Sequence, residues 1–184
     1  MSVTKWVYEQ YESNEKGLKH SSHFVLIWGL FENQLNNTIS KLDIQNFNLW
    51  VQNLEITQGQ NGMSIKEPNT EKYIDSELIG YINKAFNHFY QKYTNDSVKF
   101  INHLYNQTDK QTQQAKTKFY DFTTSFNKKN IRDKIIFLFH IARRMRNKFF
   151  HGIKKIEEIK TEQKEFEKVN GYLIAIITLI EQYN

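Results

Sequence analysis

Cysteine is absent from the 184-residue chain, and proline occurs only once, at Pro68. Without thiols the chain can form neither disulfides nor thiolate metal sites, and nothing indicates an oxidising compartment. Seven glycines and one proline do not supply the dense turns of a β protein. The longest apolar runs, 135–139 and 172–177, are far shorter than the roughly 20 residues that span a bilayer. The N-terminal residues also lack the apolar stretch of a signal peptide, so a cytoplasmic protein without a membrane segment is predicted.

The composition is that of a globular protein. Hydrophobic residues make up 39% of the chain and aromatic residues 15%, which is enough for a substantial core. A charged content of 24% and a mean hydropathy of -0.67 indicate a water-exposed exterior. A chain of this length suits one domain that buries about 70% of its unfolded surface, so residues 1–184 are predicted to form a single domain.

Apolar residues recur at helical spacing along most of the chain and never alternate strictly, so an all-α helical bundle is predicted. Residues 1–19 are expected to form a short helix or packed N-terminal arm, and the polar residues 57–70 a surface loop. Residues 106–118 are almost wholly polar, which indicates an exposed helix or a connector. Further helices are predicted over 22–42, with Ser22 as N-cap, and over 44–56, 73–93, 98–105, 131–151 and 162–183.

Positive charge is concentrated in the segment from Lys128 to Lys155. All four arginines lie within it, whereas the 21 lysines are spread over the chain. From Lys128 to Lys155, six lysines and four arginines against Asp133 give a net charge of +9, which leaves -4 for the rest. A phosphate backbone is the commonest partner of such a patch, so a phosphate-bearing partner is predicted, with a solvated basic face as the alternative. The arginines are Arg132, Arg143, Arg144 and Arg146.

The motif segment, residues 146–152, ends the most apolar predicted helix. RNA cleavage without metal requires a base for the 2'-hydroxyl, stabilisation of charge on phosphorus, and an acid for the departing oxygen. His151 suits the proton transfers, because its charge changes near neutral pH. Arg146 suits the phosphate, because its guanidinium fork stays charged and holds two oxygens. These two residues are therefore the minimum for metal-free phosphodiester chemistry, and a nuclease-like site is expected here.

A family resemblance rests on the same residues. Arg146-Asn147, three further residues and His151-Gly152, flanked by apolar helices, resemble the Arg-x4-6-His signature of HEPN domains. These are all-helical modules that often act as ribonucleases. The aromatic stretch 24–32 is similar to the first core helix of that family, which often carries an acidic residue, here Glu32. The likeness spans about residues 20–183.

The resemblance implies a HEPN-like bundle, a homodimer, and RNA as the partner. With Arg146 and His151 it predicts a metal-independent endoribonuclease that cleaves by 2'-hydroxyl attack, as the toxin of a toxin-antitoxin pair or as an antiviral defence component. A cognate antitoxin protein is then a possible partner. The resemblance also gives Asn147 the role of orienting His151 or the scissile phosphate. Two residues are expected to support these groups without touching RNA, and three to bind it. The supporting residues are Glu32 and His140, and the RNA-binding residues are Arg143, Arg144 and Lys148.

Helical geometry places Arg146 and His151 about 140° apart on an uninterrupted helix, so one face cannot present both. A helix ending at Gly152, or a second copy of the chain, would bring them together. Alternatively, Arg146 pairs with an acid such as Glu32 while His151 caps the helix. The rival function is a non-catalytic RNA-binding or protein-interaction module.

No cofactor or metal is predicted. His20 and His23 are three residues apart, but no third ligand follows at a suitable spacing. No glycine-rich phosphate loop, nucleophilic triad or paired-histidine zinc motif is present in the sequence, so nucleotide-hydrolysing and zinc enzymes have no support.

Overall fold

The computed structural model describes residues 9, 15–60, 62–68, 70, 72–150 and 156–180. In that part of the chain the fold is mostly helical, with a small antiparallel sheet, so a predominantly α fold is confirmed. The helices are α1 (Glu15–Thr38), α2 (Ile44–Asn53), α3 (Ser76–Asn95), α4 (Ser97–Leu104), α5 (Lys110–Ser125), α6 (Ile131–Phe150), α7 (Ile156–Thr161) and α8 (Gln163–Ile180). The strands are β1 (Glu55–Gly59), β2 (Gly62–Lys66) and β3 (Tyr73–Ile74).

Aspartate side chains begin four of the helices. Each accepts a hydrogen bond from a backbone N–H of the first turn, which satisfies a donor that has no partner within the helix. Asp96, for example, accepts from Lys99 N at 2.9 Å, and this cap separates α4 from α3. The other three caps are Asp43 for α2, Asp75 for α3 and Asp109 for α5.

Helix α6 is the centre of the bundle. Its middle part is buried on nearly all sides, because five of the six residues from Phe137 to Ala142 are apolar. The rings of Phe139 and Phe47 stack with centroids 3.8 Å apart, which fixes α2 against α6. On another side Phe137 meets the ring of Phe86 from α3. A helix packed on several neighbours in this way has little freedom to shift, so its C-terminal end is presented from a rigid support.

Helices α1 and α8 pack against each other along much of their length. Phe24 of α1 lies 5.3 Å from Phe166 of α8 between ring centroids, and both side chains are fully buried. Two polar contacts fix their alignment: Gln163 Oε1 accepts from His20 N at 2.9 Å, and Asn170 Nδ2 donates to His20 O at 2.9 Å.

The small sheet has the strand order β1-β2-β3 and is antiparallel throughout. Glu55 pairs with Lys66, and Ile65 pairs with Ile74. Ile65 and Ile74 are fully buried, so one face of the sheet packs on the helices. Arg132 at the start of α6 donates from Nη2 to Leu54 O at 2.6 Å and ties the beginning of β1 to the bundle.

Several regions differ from the sequence-based prediction. The predicted helix 44–56 ends at Asn53 and is followed by β1, and the predicted helix 73–93 begins at Ser76, after β3. Helix α1 begins at Glu15, so Ser22 lies inside the helix rather than at its N-cap, and the predicted arm 1–19 ends in helix. Residues 57–70 are not simply a loop, because most of them belong to the hairpin of β1 and β2. Met63, Ile65 and Glu67 face inward at alternate positions, and a cross-strand hydrogen bond joins the Thr57 and Ser64 hydroxyl groups (2.6 Å).

None of the described helices has both the length and the apolar character needed to cross a membrane.

Candidate functional site

Arg146 lies in the last turn of α6, where the buried helix reaches the surface. Its Nη2 is 3.8 Å from Glu32 Oε1 of α1, and its Nη1 donates to Asn147 Oδ1 at 3.4 Å. The guanidinium also lies over the ring of Phe150, 5.2 Å from its centroid. The structure therefore brings together three residues that the sequence singled out, Arg146, Asn147 and Glu32.

The contact between Arg146 and Glu32 is loose. The two side chains are 29% and 40% exposed, and ion pairs of this kind contribute about 0–1 kcal/mol. Arg146 Nε is buried and has no hydrogen-bond partner, so the guanidinium is not saturated by the protein. A competing anion at the surface could displace Glu32 at little cost, because the pair is weak and partly solvated.

Arg143 lies one turn before Arg146 and is half-buried. Burial lowers the pKa of Arg143, the Asp43 carboxylate acts in the opposite direction, and the nearby Arg146 lowers it further. Two arginines and two carboxylates thus share one surface where α1, α2 and α6 meet. We call Glu32, Asp43, Arg143, Arg146 and Asn147 the motif-end cluster.

Arg144 and Lys148 point away from this cluster and are buried. Arg144 Nε donates to Leu104 O at 2.6 Å, and Lys148 Nζ donates to His103 O at 2.9 Å. Both acceptors are carbonyls in the last turn of α4, which have no partners within that helix. Cations are favourable at a helix C-terminus, so the two side chains fasten α4 to α6. Their predicted contact with RNA rested on charge alone and is not favoured by this placement.

His140 is also buried, between the rings of Phe119 and Phe122. Burial, together with the charges of Arg143 and Lys118, lowers the pKa of His140 to about 3. The imidazole is therefore neutral at physiological pH and packs as an aromatic ring. The contacts of its ring are with α5, so it does not support Arg146 in the way the sequence suggested.

His151 and Gly152, the predicted proton-transfer residue and helix terminator, lie outside the described residues. The structure follows α6 up to Phe150, whose ring is 47% exposed beside Arg146. The motif-end cluster is therefore the described part of the predicted site. It provides anion-binding and hydrogen-bonding groups and includes no histidine.

Asp43 is the member of the cluster that sequence reasoning missed. Its position after Leu42 and before Ile44 is typical of a helix N-cap, but nothing in the sequence relates it to Arg143. By contrast, the burial of Arg144 and Lys148 could have been predicted from the sequence. They continue the apolar i, i+3, i+4 stripe of Phe137 and Ile141, which predicts a core-facing position.

Across the described ranges no group of three or more His, Asp or Glu side chains is arranged to hold a metal ion. Comparisons with family models, curated proteins and solved structures found no match to this chain.

Proposed function

We propose that this protein is a metal-independent endoribonuclease of the HEPN type, with the motif-end cluster as its phosphate-binding part and His151 as its proton-transfer group. The observation that supports the proposal is the position of Arg146, partly exposed at the end of a rigid buried helix and held only weakly by Glu32.

Phosphate binding follows from the chemistry of the cluster. A phosphodiester oxygen that approaches Arg146 competes with a carboxylate that is 3.8 Å away, not with a saturated bidentate pair. Arg143, one turn earlier, adds a second positive charge, and the Asn147 side chain adds an amide that can donate a hydrogen bond. The cluster can thus hold the scissile phosphate and stabilise the charge that develops in the transition state.

In the proposed reaction, the 2'-hydroxyl oxygen attacks phosphorus, its proton goes to a base, and the bond to the 5'-oxygen breaks as that oxygen gains a proton. His151 acts at one of these two proton transfers. The products are a 2',3'-cyclic phosphate and a 5'-hydroxyl. Because the described cluster supplies no second histidine, the other transfer falls to a second copy of the chain or to water.

The test is incubation of purified protein with total RNA in excess EDTA, followed by analysis of the fragment ends. We expect cleavage with 2',3'-cyclic phosphate ends. Arg146→Ala should lower the rate by about 10²- to 10³-fold through lost charge stabilisation. His151→Ala should lower it by about 10²- to 10⁴-fold through lost proton transfer.

Lys129→Ala is the matched control, because Lys129 is an exposed cation of the same basic segment outside the cluster. It should retain nearly full activity, and circular dichroism should show that all variants are folded. Absence of cleavage in EDTA, or full activity in both Arg146→Ala and His151→Ala, would remove the ribonuclease proposal.

The proposed assembly is a homodimer with two motif-helix ends across a two-fold axis. It is supported by the sequence spacing, because an uninterrupted helix would place Arg146 and His151 about 140° apart. Mixing Arg146→Ala with His151→Ala protein should restore part of the activity if different chains supply the two residues. A monomer in light scattering that retains full activity would contradict this arrangement.

A non-catalytic RNA-binding or protein-interaction module is the second candidate. It is favoured by the use of Arg144 and Lys148 inside the fold, which leaves a smaller basic surface than the sequence suggests. Such a module would bind single-stranded RNA or a partner protein without cleaving any RNA, and its affinity would be unchanged in His151→Ala. The proposed role as a toxin or antiviral component, and the proposed cytoplasmic location, are parts of the ribonuclease proposal. A cognate antitoxin protein would be found by its co-purification with this chain.

A further inference from the structure

Phe150, the last residue of α6, differs from the other phenylalanines of the chain. All fourteen lie among the described residues, and Phe150 is the only one that is exposed. The others are buried or half-buried, as expected for side chains that stabilise a core. An exposed phenyl ring adds nothing comparable to the core, so its position beside the candidate site is the feature to explain.

The neighbouring Phe149 performs the structural role at this end of the helix. Its ring lies 6.4 Å from that of Phe24 and 5.8 Å from that of Phe166, between centroids. Phe149 therefore anchors the end of α6 on α1 and α8. The ring of Phe150 meets Phe149 at a steep angle of 66°, and the Arg146 guanidinium lies over it. Two fixed neighbours thus hold the Phe150 ring in place while 47% of the residue stays open to solvent.

The ring also lies close to the group that is proposed to hold the scissile phosphate. The Arg146 guanidinium is 5.2 Å from the centroid of the Phe150 ring. In a nucleotide a single sugar separates the base from its phosphate, so a base whose phosphate is bound by Arg146 can reach this ring. Unpaired bases stack on aromatic side chains because every base has a flat π face.

We propose that Phe150 is the stacking platform for an unpaired base next to the phosphate bound by Arg146, which makes single-stranded RNA the substrate. This inference rests on the proposed ribonuclease function. In a duplex, neighbouring base pairs cover both faces of each base, so a base must leave the stack before it can contact Phe150. A phenyl ring forms no conventional hydrogen bond with base edges, so selection is for an unpaired base rather than for one sequence.

The first test measures RNA binding by the full-length His151→Ala protein, which lacks the proposed proton-transfer group. Fluorescence anisotropy compares a short oligouridylate with a chain of tetrahydrofuran phosphate spacers of equal length, which has the backbone charge without bases. We expect the oligouridylate to bind at least about tenfold more tightly than the spacer chain. Adding Phe150→Ala should remove most of this difference and leave the affinity for the spacer chain unchanged.

Further substitutions separate stacking from simple apolar contact. Phe150→Trp should keep or raise the affinity for oligouridylate, and RNA but not the spacer chain should quench the fluorescence of the new indole. Phe150→Leu keeps the apolar character without a π face and should behave like Phe150→Ala. Tyr120→Ala is the control, because Tyr120 is an aromatic residue of similar exposure (43%) on α5, outside the motif-end cluster. It should leave the affinity unchanged.

The second test compares cleavage of one RNA sequence by the wild-type protein as a single strand and as a duplex, in excess EDTA. We expect kcat/KM to be about 10²-fold lower for the duplex, because a base must first be unstacked. Phe150→Ala should lower kcat/KM for the single strand about tenfold, since the stacking contact is lost.

Equal affinity for the oligouridylate and the spacer chain, or unchanged affinity in Phe150→Ala, would overturn the stacking proposal, as would equal cleavage of single strand and duplex. Loss of a dimer in Phe150→Ala, with unchanged RNA affinity, would assign the ring to a contact between two copies of the chain and also overturn it. Base-dependent binding without cleavage by the wild type would remove the ribonuclease proposal and keep Phe150 as the platform of an RNA-binding module. Cleavage by the wild type with negative stacking tests would remove only the present proposal.

Discussion

The two faces at the C-terminal end of α6 use the same residue types for different purposes. On one face, Arg146 forms a loose, partly solvated ion pair with Glu32, and the Asp43 carboxylate acts on the charge of the half-buried Arg143. On the other, Arg144 and Lys148 are buried and bond the last carbonyls of α4 at 2.6 and 2.9 Å. A cation in a basic segment is therefore a candidate ligand for RNA only if its helical face is exposed. Charge counted along the sequence overstates the charge that a partner meets.

The largest expected difference between the faces is in stability. Arg144→Ala should lower the free energy of unfolding by about 3 kcal/mol, because it leaves the buried Leu104 carbonyl and the Gln107 side chain without their charged donor. Arg143→Ala should lower it by less than about 1 kcal/mol, as for other partly solvated charges. Urea unfolding at neutral pH, analysed for both variants, gives the comparison. Equal losses would show that the faces are not distinct.

The buried face should also respond to acid through His140. Its folded pKa of about 3 lies below the ordinary value of 6.5, so the unfolded chain takes up a proton first as the pH falls. This stability is fully present above pH 6.5 and is lost as the pH falls toward the folded pKa. At pH 5 the loss from this residue is about 2 kcal/mol.

His140→Phe should remove this loss, because a phenyl ring fits between Phe119 and Phe122 and takes up no proton. Urea unfolding at two pH values gives the pH dependence of the free energy of unfolding for wild type and variant. Carboxylates such as Glu165 contribute equally to both proteins, so the difference between them reports His140. His23→Phe, at an exposed position, serves as the control and should keep the wild-type dependence. An unchanged pH dependence in His140→Phe would show that His140 is not buried in solution.

The smallest expected effect is on the exposed face. Glu32→Gln should change the free energy of unfolding by less than about 1 kcal/mol, since the ion pair is weak. It should raise RNA affinity about twofold at low salt, because a nearby negative charge is removed. Fluorescence anisotropy with a short single-stranded RNA measures this, and added salt should abolish it. Weaker binding in Glu32→Gln would instead show that the carboxylate orients Arg146.

Most helices were predictable because their apolar residues repeat at helical spacing. The sequence left open whether the helix continues after Asn95, and the structure shows a break there, with Asp96 as the N-cap of α4. The hairpin was not, because Thr57 to Thr70 is polar and its strands are defined by pairing between residues rather than by a local pattern. The start of α1 was missed for a related reason: contacts with α8, such as the bond from His20 N to Gln163, stabilise the N-terminal part of a helix that has little apolar character there.

The candidate site was predictable in part. Glu32 and Arg146 were predicted as a possible ion pair because an acidic and a basic side chain can be recognised from the sequence. The structure places their charged groups 3.8 Å apart. The contribution of Asp43 depends on how α2 crosses α6, which no local pattern specifies.

The packing of α1 on α8 has a consequence for how the chain folds as it is made. More than a hundred residues separate the end of α1 from the start of α8, and a ribosome adds about 5–20 residues per second. The apolar surface around Phe24 therefore waits on the order of ten seconds for its partner helix. During that interval the nascent chain exposes an aromatic surface to other molecules. Its yield in a cell should consequently depend on chaperones that cover such surfaces during synthesis.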